Sequence, residues 1–313
     1  MTNRDDATAV LEASTAPPEA ATSYEGPSSW WRAHRERTRG LARPIDRAIV
    51  GATEVDRVAW AFAGGYRAAL SRLVPTLPDD TLASLAATEA RGGHPRAIET
   101  TLADDGTLSG HKRWVTLGPD GGVVLVVARR PLPDASGRPR LVVVRVPSDA
   151  AGLRITATSA PFVPELPHGE ITLERVAIRP EDVLPGDGYA DYLKPFRTIE
   201  DLHVQGAICG LVLGLAHRAQ APRAPRERLL GAIAAIRELA ACDPRAGSVH
   251  LALGGVLSVV EEAVQAIEPS FAALDPATRD AWARDRAIFG VAGKARAARL
   301  EAAWSRSGAA GEA

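Results

Sequence analysis

Cysteine is scarce: the 313-residue chain has two, Cys209 and Cys242. Two residues so placed give no disulfide framework and no metal-ligand spacing, so no metal site is expected. Cys209 sits in an apolar run and reads as a small core residue. Net charge is nearly absent too, formally −1. There is no global basic field to hold nucleic acid. The arginines are scattered among acids, as on a solvated helix surface. No basic-then-apolar leader opens the sequence, and no apolar run approaches the ~20 residues that span a bilayer. The expectation is a cytoplasmic protein with neither nucleic acid nor membrane as partner. What is present is length enough for a large core and two or three domains.

Residues 1–28 are rich in Ala, Thr, Ser, Pro and acids without apolar periodicity, and are expected to be a disordered tail. Order should begin near Trp30-Trp31. Residues 29–84 form a short helical region. From Pro44 to Leu73 apolar residues recur at three- and four-residue steps, with a break near Gly51, and Pro75 ends the run.

Residues 85–185 read as a middle β-domain, an antiparallel barrel or sandwich of about six strands. Val123–Ala128 and Leu141–Val146 are apolar throughout, as strands covered on both faces are. Leu153–Thr158 and Glu170–Ile178 alternate as half-exposed strands. Polar loops fall at Pro131–Pro139 and Phe162–His168, and His168 reads as a turn residue. Residues 186–313 read as a C-terminal four-helix bundle, with helices near Ile199–Ala219, Arg226–Ala241, Ser248–Ile267 and Pro276–Arg306. The first is apolar on nearly all sides, hence central. Its Gly206, Gly210 and Gly214 share one face and predict close helix packing. The fold class is therefore α+β.

Within the β-domain three stretches form a pattern: Thr88-Glu89 at a strand end, the loop Arg91-Gly92-Gly93-His94, and Gly110-His111-Lys112-Arg113-Trp114-Val115-Thr116. On a strand, Trp114 and Thr116 share a face. Taken alone, Trp114 is a large core aromatic. Together the stretches resemble the flavin-binding middle domain of acyl-CoA dehydrogenases, and the resemblance continues to about Gly214.

That resemblance implies FAD, α,β-dehydrogenation of an acyl thioester such as acyl-CoA, and hydride transfer to the flavin. It makes Thr88, Trp114 and Thr116 the flavin-contacting positions, with Lys112 a scaffold residue on the Trp114 row. It implies a homodimer or tetramer built on the C-terminal bundle, and an electron-transfer flavoprotein or a partner dehydrogenase subunit. The N-terminal helical region looks shortened. The loop's usual Gly-Ser-Asp ending is replaced by His94-Pro95, where Pro95 lacks an amide donor and Arg91 or Arg96 could compensate by charge. The late Tyr-Glu-Gly segment that carries the base in most members is missing. Arg286-Ala287-Ile288-Phe289-Gly290 has the spelling of the family's dinucleotide motif but falls in the last predicted helix, so it reads as a chance match.

A base must be a carboxylate close to the reacting carbon. A minority of members place it in the first C-terminal helix, before an Arg, and alignment there makes Glu200 the candidate. Asp201 stands where the Arg belongs and, as a second acid, would raise the base's pKa. His203, one turn on, is a candidate partner. Alternatively, Thr198 caps the helix, and Glu200 and Asp201 merely favour its positive end. Tyr189, Tyr192, Phe196 and Arg197 are candidate substrate-pocket residues or an interdomain packing hinge. The competing function is a non-catalytic subunit that keeps the scaffold and has lost FAD or catalysis.

Overall fold

The computed structural model describes residues 7–15, 20–133, 137–158, 160, 162–290 and 292–307. Residues 1–6 and 16–19 of the expected tail, and 134–136 of the Pro131–Pro139 loop, lie outside them. The chain divides into two compact units, Met1–Arg72 with Thr198–Ala313, and Leu73–Arg197.

In the first unit the expected tail is corrected. Ala7–Thr15 is a helix, α1, which buries Val10 and packs on α3 (Pro44–Ala52) and α6 (Arg223–Leu239). One apolar residue facing the bundle suffices to seat an Ala-rich turn with high helix propensity. Helix α2 (Pro27–Arg37) has proline in its first turn, and α4 (Val58–Leu73) follows the break expected after Gly51. Trp30 and Trp60, both buried, stack at 5.9 Å to join α2 and α4.

The helices before and after the β-domain build one unit rather than separate regions. On α5 (Lys194–Arg218) the glycine stripe faces α3. A Cβ on Gly210 would fall 2.3 Å from the Ile49 carbonyl oxygen, and one on Gly214 1.9 Å from that of Thr53. Only glycine permits that approach. Asp46 of α3 and Arg237 of α6 form a buried two-pronged ion pair, at 2.6 and 2.9 Å.

Helix α7 (Gly247–Ile267) follows, but the single last helix expected is two: α8 (Pro276–Asp285) and α9 (Gly293–Arg306), joined by a 3₁₀ turn over Arg286–Gly290. Among the described residues, two helices are long and apolar enough to cross a membrane by length and composition. The α5 stretch is 94% buried within the protein, whereas the α7 stretch is only 28% buried.

The second unit is a seven-stranded sheet: β1 (Ala83–Ala86), β2 (Thr101–Leu102), β3 (Thr107–Thr116), β4 (Val123–Arg129), β5 (Leu141–Pro147), β6 (Leu153–Thr158) and β7 (His168–Ala177). It is mixed, not wholly antiparallel as expected. β4 is antiparallel to β5 but pairs in parallel with β1 along one half and with β2 at its end. The long excursion between β1 and β4 is what allows a parallel return. β3, β7 and β6 continue the sheet antiparallel. Among the described residues no pairing joins β5 to β6, so the barrel closure of the expected fold is not seen. The core of this unit is built by Leu108, Val115, Val124, Val126, Val144 and Ile171.

Candidate functional site

Strand β3 does not run straight. It pairs Lys112 with Ile171 and then Val115 with Gly169, so Arg113 and Trp114 together oppose Glu170. Two residues against one is a β-bulge, which re-aims side chains. Trp114 lies in the left-handed region, φ 58°, which is uncommon for a bulky residue and costs about 1–3 kcal/mol. The bulge corrects two expectations. Lys112 is fully buried on the side of Val115, not on the Trp114 row. Trp114 is no core aromatic, for it stands 53% exposed. Thr116, half-buried, lies beyond the buried Val115, so alternation keeps Trp114 and Thr116 on one face.

Thr88 is half-buried just past β1, and its carbonyl oxygen accepts the Arg113 amide at 2.8 Å. Thr88 and the bulge are thus neighbours. Next to Thr88, Glu89 is buried and was passed over in the sequence. One of its carboxylate oxygens accepts Lys112 Nζ at 2.7 Å and the Thr100 amide at 3.0 Å; the other accepts the Glu99 amide at 2.7 Å. Burial acts to raise the Glu89 pKa, but the bonds from Lys112 and the amides outweigh it and hold the carboxyl below its ordinary value. Burial pulls the Lys112 ammonium down to about 8 against the opposing pull of Glu89. Both directions leave the pair ionised at neutral pH.

In the glycine-rich loop, Glu89 and Gly92 exchange both backbone bonds around a tight turn, with Gly92 at φ 100°. His94 is exposed, and its ring accepts the Arg96 amide at 3.2 Å. Arg91 reaches Glu99 at 3.7 Å across the loop.

Helical turns begin earlier than expected. The Asp187 carboxylate accepts the amides of Tyr189 and Ala190, and a π-helical turn over Gly188–Leu193 leads into α5. Thr198 is therefore inside a helix and caps nothing. It is buried, within 3.3 Å of His250. Tyr192 and Phe196 are buried, and the Tyr192 hydroxyl donates to the Pro185 carbonyl at 2.7 Å. Tyr189 and Arg197 are exposed.

Glu200 belongs to the helical unit and is half-buried. The ring of His203, its expected partner, bonds the Ile199 carbonyl at 2.7 Å, and burial lowers its pKa to about 4. Asp201 is no isolated second acid either. Arg296 and Arg299 of α9 both bind it. The Arg286–Gly290 turn, read as part of a helix, instead helps line a cavity of about 380 Å³ with Gln205, Ile208, Val264 and Arg296. A second, of about 340 Å³, shares Leu257, Glu261, Gly293 and Arg296 with it. None of the sequence-predicted site residues lines either. His168, read as a turn residue, begins β7 opposite Thr116 and is buried.

Residues 84–176 match the family model described as acyl-CoA dehydrogenase, middle domain. The chain is acyl-CoA dehydrogenase-like. No curated protein matches the sequence. Among solved structures, FMN-bound TdsC from Paenibacillus sp. A11-2 is similar at TM-score 0.70 and 16% identity, over 96% of this chain and 94% of that one. The prolyl acyl carrier protein oxidase AnaB gives TM-score 0.68 and 14% identity, over 94% and 96%. Butyryl-CoA dehydrogenase from Megasphaera elsdenii gives 0.63 and 16%, over 98% and 93%. These likenesses show the fold. They run almost end to end in both chains.

Proposed function

We propose that the chain is a flavin-dependent oxidoreductase of the acyl-CoA dehydrogenase type, acting on the Cα–Cβ bond of an acyl thioester. The observation that carries this is Trp114: a large aromatic held outward on a rigid strand, at a backbone cost, two residues before Thr116 and next to the strand end at Thr88. A core role explains neither its exposure nor its strained φ. A flat ring stacked on the indole, with hydroxyl donors at its edge, fits that arrangement. Several of the fold neighbours are FMN- or FAD-bound, among them TdsC and PigA.

FAD is the cofactor of this reading, and when bound it supplies the hydride acceptor. Thr116 and Trp114 would hold it, the hydroxyl as a donor and the indole as a stacking surface, and Thr88 would hold the strand end beside them. Glu200 would take the α-proton of the substrate as the hydride leaves for the bound flavin. Tyr189 and Arg197, both exposed, are the remaining candidates for contact with the thioester's carrier. A homo-oligomer is supported by α7, an apolar helix left mostly uncovered in one chain. An electron-transferring flavoprotein is a partner of matching chemistry.

A non-catalytic scaffold is favoured by one specific observation. The loop that should meet a phosphate has Pro95 without an amide, and His94 occupied with its own loop. The absorbance spectrum of the purified protein, with and without added FAD or FMN, decides between the two. Bands near ~370 and ~450 nm, the oxidised flavin's own property, that bleach with an acyl thioester support the enzyme. A colourless protein that ignores both flavins leaves the scaffold reading.

A further inference from the structure

Lys112 and Glu89 are 23 positions apart, fully and almost fully buried, and joined at 2.7 Å. A buried ion pair is seldom worth more to stability than two apolar side chains of the same volume. Here an apolar pair would fill the space but could not accept the Glu99 and Thr100 amides. The carboxylate gathers both ends of the loop, its own residue at one end and those two amides at the other. Lys112 supplies the counter-charge from β3, two residues before Trp114. The same strand lies hard against the loop's end: a Cβ on Gly110 would fall 2.4 Å from the Thr100 hydroxyl. One residue after Lys112, the Arg113 amide donates to the Thr88 carbonyl. Loop, strand end and bulge are thus tied through one carboxylate and one ammonium.

We propose that the Glu89–Lys112 pair is a positioning lock: it fastens loop 89–100 to the β3 bulge and so fixes Thr88 and Trp114 relative to each other for flavin binding. Neither residue touches the flavin in this proposal, which rests on the flavin reading above. The lock explains why the bulge, strained at Trp114, persists: Lys112 anchors the strand immediately before it.

The test uses the full chain in two variants and two readouts. In the double variant E89Q/K112M both charges go together, so no buried charge is stranded. The expected result is a cooperative melt, faster amide exchange at Glu99, Thr100 and also Arg113 in the flavin-free protein, and FAD affinity weakened at least tenfold. E89D, which keeps the charge but draws the carboxylate back, should fall between. A double variant that loosens only Glu99 and Thr100, or that binds FAD as the parent does, overturns the lock. Should the double variant not fold, native-state exchange of the parent decides. Glu99, Thr100 and Arg113 should open with one free energy and one urea dependence, and separate openings overturn the lock. A parent that binds neither FAD nor FMN sinks the flavin reading instead, and the exchange data then decide the coupling by themselves.

Discussion

Arg296 of α9 holds Asp201 of α5 at 3.0 Å, and Arg299 takes the other oxygen of the same carboxylate. The acid that stands beside Glu200 is thereby neutralised twice over. It fastens the last helix to the central one instead of crowding its neighbour. Asp201→Asn should lower unfolding free energy in urea by about 2–3 kcal/mol, below the figure for a sealed pair because both arginines keep some solvent. A loss under about 0.5 kcal/mol would show that the clamp carries no weight.

Trp114 invites the opposite experiment, in which binding moves and stability does not. Its side chain is more than half exposed, so Trp114→Ala should change stability by no more than about 0.5 kcal/mol. Losing the stacking surface should weaken FAD about tenfold, near 1.4 kcal/mol. Fluorescence titration of FAD, run beside a urea melt, separates the two. Collapse of the melt with flavin affinity intact would restore the core reading of this residue.

The same residue shows where sequence reading stops. Continuous apolar runs identified β4 and β5, period-two alternation identified β6 and β7, and the four-residue spacing of glycines on α5 announced a close helix contact, which α3 makes. A bulge leaves no mark in composition: that Arg113 and Trp114 share one partner depends on where β7 begins. Lys112 therefore read as a neighbour of Trp114 on one face, when it is buried on the other. Non-local pairs were equally hidden. Nothing near Glu89 names Lys112, and nothing near Asp201 names Arg296, since each partner arrives only once the chain has folded back. The start of α5 was misplaced for a local reason, the Asp187 cap lying about three turns ahead of the predicted helix.

Two buried histidines set an acid limit. His34 packs between Trp30 and Trp31, at 5.2 and 5.5 Å between ring centres. Burial first, then Arg47 and Arg67, pull its pKa to about 4. His203 is drawn to about 4 by burial, with Arg72 and Arg43 adding to it. Above the ordinary value of about 6.5 both are neutral folded or unfolded, and stability is full. Between there and about 4 the unfolded chain takes protons that the native fold refuses, so stability falls as pH drops, up to about 3 kcal/mol for each group. The urea midpoint should decline from neutral pH toward pH 4.5, more gently in His203→Gln. A flat midpoint over that window would contradict the assignment.

Glu200 is the sharpest test of the chemistry. Helix capping no longer accounts for it, because the helical turns start at Gly188 under the Asp187 carboxylate and Glu200 lies well inside them. The neighbouring Asp201 is itself held by Arg296 and Arg299. As the base, Glu200 would lose its function on conversion to Gln while the volume stayed the same. Glu200→Gln should keep the melt and the flavin affinity of the parent and slow anaerobic bleaching by an acyl-CoA by about 10²–10⁴-fold, the usual worth of a general base. Bleaching at the parental rate would remove Glu200 from the mechanism and send the search to the other carboxylates of the helical unit, beginning with Glu261 in the cavity wall.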